Sequence, residues 1–318
     1  MANLATDFTF TNGNDLAYDF EEGISNDSSV NTLKGNDKIL GISEGTGIYN
    51  LGEINTDKGS DRIVARGDVW GLYLDNSSTT LNTGDGSDSI IASAGDVGYA
   101  IFNSGTIDTA QGDDRIVAEA GRVGIINYNT ILTGEGNDLI RGSGSYGINH
   151  TGTIDTAQGN DIVIGEGDSD GVGIEIYNGG TIDTAQGNDR IIGKGGVGIQ
   201  ISTDSTIDTA QGNDVVIGEG IDPFTGFDRG GTIELGEGDD LIKGFGGVKV
   251  NGDRGFDTAK FDFNSFDLNS VAEIGSADNT VELIHNNTTM TLTNIESFVF
   301  ADGTFSFDKL ITESSDLV

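Results

Sequence analysis

The residues with the most chemical potential in this chain are carboxylates set at a fixed offset behind a glycine. The string TIDTAQGND is written out at 153–161, 181–189 and 206–214, and TIDTAQGDD stands at 106–114. Anchoring on Gly-x-Asp extends the series from Gly13-Asp15 and Gly35-Asp37 to Gly238-Asp240, with 23 to 28 residues between anchors from the second onward. One more turn, GDRGFDTAKFDF from 252, puts Gly255 and Asp257 in the same relation. A core needs only apolar character at a position and tolerates drift among Ile, Val and Leu. A turn, a glycine and an acid kept together copy after copy point to a site. The candidate metal ligands are Asp37, Asp61, Asp88, Asp114, Asp138, Asp161, Asp189, Asp214, Asp240 and Asp257.

Carboxylates stacked one repeat above another repel by roughly 3–4 kcal/mol per neighbouring pair at an intermediate dielectric. A scaffold built for stability alone would carry Asn or Ser there, so cations are expected between the rungs. The donors are oxygens; cysteine is absent and there are only 2 histidines, His150 and His285. That set selects a hard cation, and Ca²⁺, which accepts six to eight oxygens in irregular geometry, fits better than Mg²⁺.

The elements that must position these turns are strands. Each repeat carries an aliphatic residue before the turn (Ile54, Leu81, Ile107, Ile131, Ile154) and another after it (Ile39, Ile63, Ile90, Ile116, Ile140). Two places beyond the second stands a small residue, as at Gly41, Ala65 and Gly142; a third aliphatic series contains Ile48, Leu72, Ile125 and Ile148. Alternation with polar residues and the lack of helical spacing predict three short strands per repeat. A coil of about 25 residues cannot bury its own apolar face, but stacked coils can. The expected fold is all-β: a parallel β-solenoid of about ten coils over 1–251, about 45–50 Å long at strand spacing, with a small β-rich cap over 252–318. Stacking predicts further ladders: Thr32 through Thr209 before the turn, Tyr49, Phe102 and Tyr177 as an aromatic column, and Asn50, Asn103 and Asn178 as an amide column.

The turns TGEGNDLIRG at 133–142, LGEGDDLIKG at 235–244 and TGDGSDSIIA at 83–92 resemble the RTX, or hemolysin-type, nonapeptide G-G-x-G-x-D-x-U-x. The resemblance implies Ca²⁺ held between successive coils by the Asp side chain and nearby turn carbonyls, at the ten aspartates named above. The chain departs from the family in having one such turn per coil, in a longer coil. In the four TIDTAQG copies Thr-Ala replaces the first two glycines, which is expected to weaken those turns as calcium sites because Ala resists a glycine conformation. The segment TLTNIESFVFADGTFSFDKL resembles the C-terminal region that follows such repeats in exported bacterial proteins. It implies an uncleaved signal for a type I secretion exporter and an extracellular or cell-surface location. The opening MANLATDFTF lacks the pattern of a cleaved secretory leader.

Composition narrows the partners. With 16 basic and 52 acidic residues the formal net charge is −36, which argues against nucleic acid and against an anionic membrane surface. No apolar run is long enough for a membrane span. GSGSYG at 142–147 and GKGGVG at 193–198 satisfy G-x-G-x-x-G but open no helix, and 51 glycines make chance matches common. No nucleophile–base constellation can be assembled, so no enzyme is expected. Trp70 is read as a turn or face residue with no special role. A polysaccharide-active β-helix enzyme is the first alternative, disfavoured because the basic residues look scattered and the acids form one uniform column. An ice-binding solenoid is the second, on the stacked Thr106, Thr153, Thr181 and Thr206, disfavoured by the adjacent Asp108, Asp155, Asp183 and Asp208. A structural or cell-surface role is expected, with cell-surface polysaccharide as a candidate partner.

Overall fold

The computed structural model describes residues 1–275 and 279–314. Three sheets run along the winding axis. Sheet I takes the strand after each Gly-x-Asp turn, from Leu16–Asp19 and Lys38–Ile42 to Leu241–Lys243 and Thr258–Lys260. Sheet II takes the next, from Ala2–Asn3 and Ile24–Asn26 through Thr46–Asn50 to Phe227–Asp228. Sheet III takes the third, from Ser29–Asn31 and Glu53–Asn55 to Thr232–Glu234 and Lys249–Asn251, and leads into the next Asp turn. Pairing is parallel and one coil apart: Ile116 lies against Ile90 on one side and Ile140 on the other. The expected three-stranded parallel β-solenoid is the architecture observed.

The aliphatic columns meet inside. Ile90, Ile116 and Ile140 of sheet I, Ile101, Ile125 and Ile148 of sheet II, and Ile107, Ile131 and Ile154 of sheet III are all fully buried in one cluster. Each such side chain contributes about 1.5–3 kcal/mol by leaving water, and none could do so in an isolated coil. The small column of sheet I has a steric cause. A Cβ built on Gly142 would lie 2.2 Å from the carbonyl oxygen of Gly147 on sheet II.

Both ends of the core are covered. At one end the short helix Leu4–Asp7, capped by the Asn3 side chain, buries Leu4, a cap that sequence reasoning missed. At the other, Ser270–Gly275, Thr280–His285 and Thr288–Thr293 form an antiparallel meander whose last strand pairs parallel with Lys249–Asn251. Ser297–Phe300 pairs parallel with Thr258–Lys260 and antiparallel with Gly303–Ser306. Phe261, Phe263 and Phe300 pack together beneath, with Phe261 and Phe300 centroids 4.8 Å apart. The last residues of ITESSDLV, 315–318, lie outside the described residues.

Two expected columns are corrected on sheet II. The aromatic ladder runs Tyr49, Tyr73, Phe102, with Tyr73 and Phe102 stacked at 4.7 Å, and Trp70 stacks on Tyr99 at 4.5 Å in the adjoining column. Trp70 also meets Tyr73 and Phe102 edge-on, so it is the hub of this cluster. Tyr177 lies outside the ladder because Glu175 holds the rung that its column requires. The amide ladder joins Asn26 to Asn50 (2.9 Å) and Asn103 to Asn127 (2.8 Å). Asn178 is an exposed turn residue with φ 53°. Buried His150 takes the rung after Asn127, its Nδ1 3.1 Å from the Asn127 amide and its Nε2 2.8 Å from the Thr181 carbonyl.

Stacking also regroups charge. Lys38, Arg62, Arg66, Arg115, Arg141, Arg190, Lys194, Lys243 and Lys260 project from the outer face of sheet I, alternating with buried neighbours. They are 9 of the 16 basic residues. What reads as scatter along the chain is a concentration on one face.

Candidate metal centre

The turn backbone is the same in every coil. The residue four places before each Asp is left-handed whatever its type: Leu33 (φ 68°), Asp57 (62°), Gly84 (77°), Ala110 (61°), Gly134 (81°), Ala157 (58°). Wherever that residue is not glycine, a side-chain oxygen two residues earlier holds it there. Asp108, Asp155, Asp183 and Asp208 accept from the N–H of Ala110, Ala157, Ala185 and Ala210 at 3.0–3.1 Å. Asn55 and Asn82 do the same for Asp57 and Gly84. The cap offsets the roughly 1–2 kcal/mol that Ala loses in this conformation. The expected difference between Thr-Ala and glycine turns therefore has no counterpart in the backbone. Asp108, Asp155, Asp183 and Asp208, which in the sequence only count against the ice-binding reading, are turn caps.

The anchor glycine has a different reason. At Gly136 φ is 153°, and a Cβ there would lie 1.7 Å from the Gly112 carbonyl oxygen one coil below. The turns stack too closely for any side chain, with or without a metal.

The ten aspartates sit where this backbone places them, pointing inward and at most 2% exposed. Each Oδ1 accepts the backbone N–H of its counterpart one coil earlier. The chain of bonds starts with Asp15 N–H on Asp37 and ends with Asp240 N–H on Asp257, at 2.6–2.9 Å throughout. Asp257 N–H is in turn received by Glu296 Oε2 at 2.7 Å, which ends the ladder with a different acid. Glu296 was missed by sequence reasoning because it stands 39 residues on, in a segment without the Gly-x-Asp signal. Half of the column is thus structural: Oδ1 joins coil to coil. An Asn would do that equally well, so the charge itself must be explained by Oδ2.

The Oδ2 atoms of Asp61, Asp88, Asp114, Asp138, Asp161, Asp189, Asp214, Asp240 and Asp257 are buried and make no hydrogen bond of normal geometry. The nearby hydroxyls of Thr56, Thr83, Thr109, Thr133, Thr156, Thr184 and Thr209 favour the ionised form of the first seven, less than burial opposes it. Those of Thr83, Thr133, Thr156 and Thr184 are likewise buried without a hydrogen bond of normal geometry. At the outer end Asp37 differs, its Oδ2 accepting from Thr32 Oγ1 at 2.5 Å. Burial pushes the carboxyls of Asp88, Asp161 and Asp240 up to about 7 and those of Asp114, Asp138, Asp214 and Asp257 to about 6, against the lowering effects of the coil-to-coil bond and, for all but Asp240 and Asp257, of the neighbouring threonine hydroxyl. An unpaired buried carboxylate is unstable near neutral pH, and it either takes up a proton or meets a cation.

The donor set fits a hard cation in chemistry: anionic and hydroxyl oxygens, buried, in a continuous column. Among the described residues no three His, Asp or Glu side chains converge on one point. A Ca²⁺ ion here would therefore draw on successive Asp Oδ2 atoms and complete its shell from threonine hydroxyls, backbone carbonyls or water. Neither a family model nor a curated protein matches the chain.

Proposed function

We propose that the protein is a calcium-loaded structural solenoid of the bacterial cell surface or surroundings, without a catalytic site, whose Asp ladder binds Ca²⁺ as the coils close. The observation that carries this reading is the row of nine buried Oδ2 atoms without a hydrogen bond of normal geometry. Bound calcium would supply the positive charge that lets those carboxylates stay ionised. The chain's own part is to bring the acids together: Oδ1 locks each coil to the next, and the glycine column lets the turns approach. Because the ligands converge only in the folded state, metal binding free energy is folding free energy. The resemblance of the repeats and of the segment around 291–310 to RTX proteins favours export by a type I system, with calcium outside the cell completing the fold.

The test is thermal unfolding with parallel measurement of bound metal. Chelator is expected to lower the melting temperature sharply, and Ca²⁺ to restore it better than equimolar Mg²⁺. Identical melting curves in chelator and in calcium, with no metal bound, would leave the ladder as a protonated, purely structural device.

One further feature favours a second reading enough to test it. Thr80, Thr106, Thr130, Thr153, Thr181, Thr206 and Thr232 form an unbroken outward ladder on sheet III, longer than the four rungs expected. An ice-recrystallisation assay decides whether this array orders water; growth unaffected by the protein disposes of it.

A further inference from the structure

We infer that the outer face of the first rungs of sheet I binds a carboxylated polysaccharide. At the first rung Leu16, Tyr18 and Phe20 are more than half exposed, and the two rings lie 5.1 Å apart. The register sets Leu16 beside Lys38 and Tyr18 beside Leu40, then Lys38 beside Arg62, Leu40 beside Val64 and Ile42 beside Arg66. Lys38, Leu40, Ile42, Arg62, Val64 and Arg66 line a shallow depression of about 260 Å³. Its floor is aliphatic and its rims are cationic.

The cations are not engaged. Lys38, Arg62 and Arg66 form no ion pair among the described residues, although the chain carries 52 acids. Farther along the same face Arg141 pairs with Glu166, Lys194 with Glu219 and Lys243 with Asp262, which leaves Arg115, Arg190 and Lys260 as cations unpaired among the described residues and set apart from one another. Only at the first rungs of this face do unpaired cations stand on adjacent strands beside exposed aromatic rings, among the described residues.

That combination selects the partner. A pyranose ring presents an apolar C–H face, which packs on an aromatic or aliphatic surface, and a uronate adds a carboxylate, which a guanidinium holds through two parallel bonds. Nucleic acid needs a continuous basic track with aromatic platforms for successive bases, and a net charge of −36 repels so dense a polyanion. A membrane surface is answered by apolar groups that insert, whereas Val64 is buried and Leu40 and Ile42 are only part-exposed on a flat sheet. None of the residues invoked belongs to the Asp ladder, so the inference stands or falls separately from calcium.

The experiment is calorimetric titration of the full chain with a short, soluble galacturonate oligomer, and with a neutral gluco-oligosaccharide of equal length. Wild type is expected to bind the uronate and not the neutral sugar. R62Q/R66Q is expected to weaken binding at least about tenfold, since a hydrogen bond to a charged group is worth ~1.5–3 kcal/mol and tenfold is ~1.4. Y18A/F20A should weaken it as well, while K249Q on sheet III should not. Melting temperatures of all variants report whether they fold. No uronate binding by wild type, equal binding of the neutral sugar, or uronate binding unchanged in folded R62Q/R66Q overturns the proposal. So does tighter binding of a duplex DNA fragment or phosphatidylserine vesicles that the same variants abolish.

Discussion

Replacing Asp138 by Asn should change the sign of its effect on stability with the metal content of the solution. Asp138 Oδ1 accepts the Asp114 N–H at 2.8 Å, and the Asp138 N–H donates to Asp161 Oδ1 at 2.8 Å. Asn keeps both bonds and places an amide where the unpartnered Oδ2 stands, next to the unpartnered Thr133 hydroxyl. Burial raises the Asp138 carboxyl from 3.8 to about 6. A folded-state value above the unfolded one means that the group favours folding fully below 3.8 and loses that contribution as pH rises through 6. Two pH units correspond to about 3 kcal/mol. In chelator at slightly alkaline pH the Asp138→Asn variant should therefore be more stable than wild type, by about 1–3 kcal/mol once neighbouring rungs relax. In excess calcium the order should reverse, since wild type gains ligand free energy that the neutral amide forgoes. Asp138→Ala separates the two roles of the side chain. It leaves the Asp114 N–H buried without an acceptor and should be about 1–3 kcal/mol less stable than Asp138→Asn in either medium. Urea unfolding with chelator and with calcium reads all four differences. If Asp138→Asn is less stable than wild type in chelator, or if the difference has one sign in both media, the cation argument built on Oδ2 is wrong.

Without calcium, wild type should melt at higher temperature as pH falls from neutrality toward 4, because the raised carboxyls of Asp88, Asp161 and Asp240 become neutral; saturating calcium should flatten or invert this slope. His150 has the opposite sign: burial lowers it from 6.5 to about 4, so its contribution is present above 6.5 and is lost as pH falls toward 4, about 3 kcal/mol in all. His150→Asn continues the amide ladder and should remove that acid loss, read as the pH dependence of the difference between variant and wild type. Ala157→Gly relieves a left-handed alanine and should raise stability by up to about 1 kcal/mol in denaturant melts. Gly136→Ala, by contrast, forces a Cβ against the Gly112 carbonyl and should cost several times as much, seen as a lower denaturant midpoint or no soluble fold.

The repeat itself was legible in the linear chain, because every coil passes the Gly-x-Asp turn with the same backbone. There the spacing of apolar residues before and after the turn is constant, so sheets I and III and their core columns follow from counting. Sheet II was less legible. The connections leading into it differ in length, three residues between Ile42 and Thr46 but four between Ala94 and Tyr99. A count from the turn consequently put Tyr177 and Asn178 in ladders that Glu175 and His150 disturb, overlooked Tyr73 and Asn127, and gave Trp70 no part in the aromatic cluster it centres. The aspartates could be named from sequence, and their repulsion argued, but not the direction of their side chains. Only the stacked structure shows Oδ1 bound to the neighbouring coil and Oδ2 left over. Glu296 joins the ladder only because a strand far along the chain lies on the last coil. The grouping of basic residues on sheet I has the same origin. Residues about 25 positions apart become neighbours at strand spacing, so charge that is dilute along the sequence becomes concentrated across the sheet.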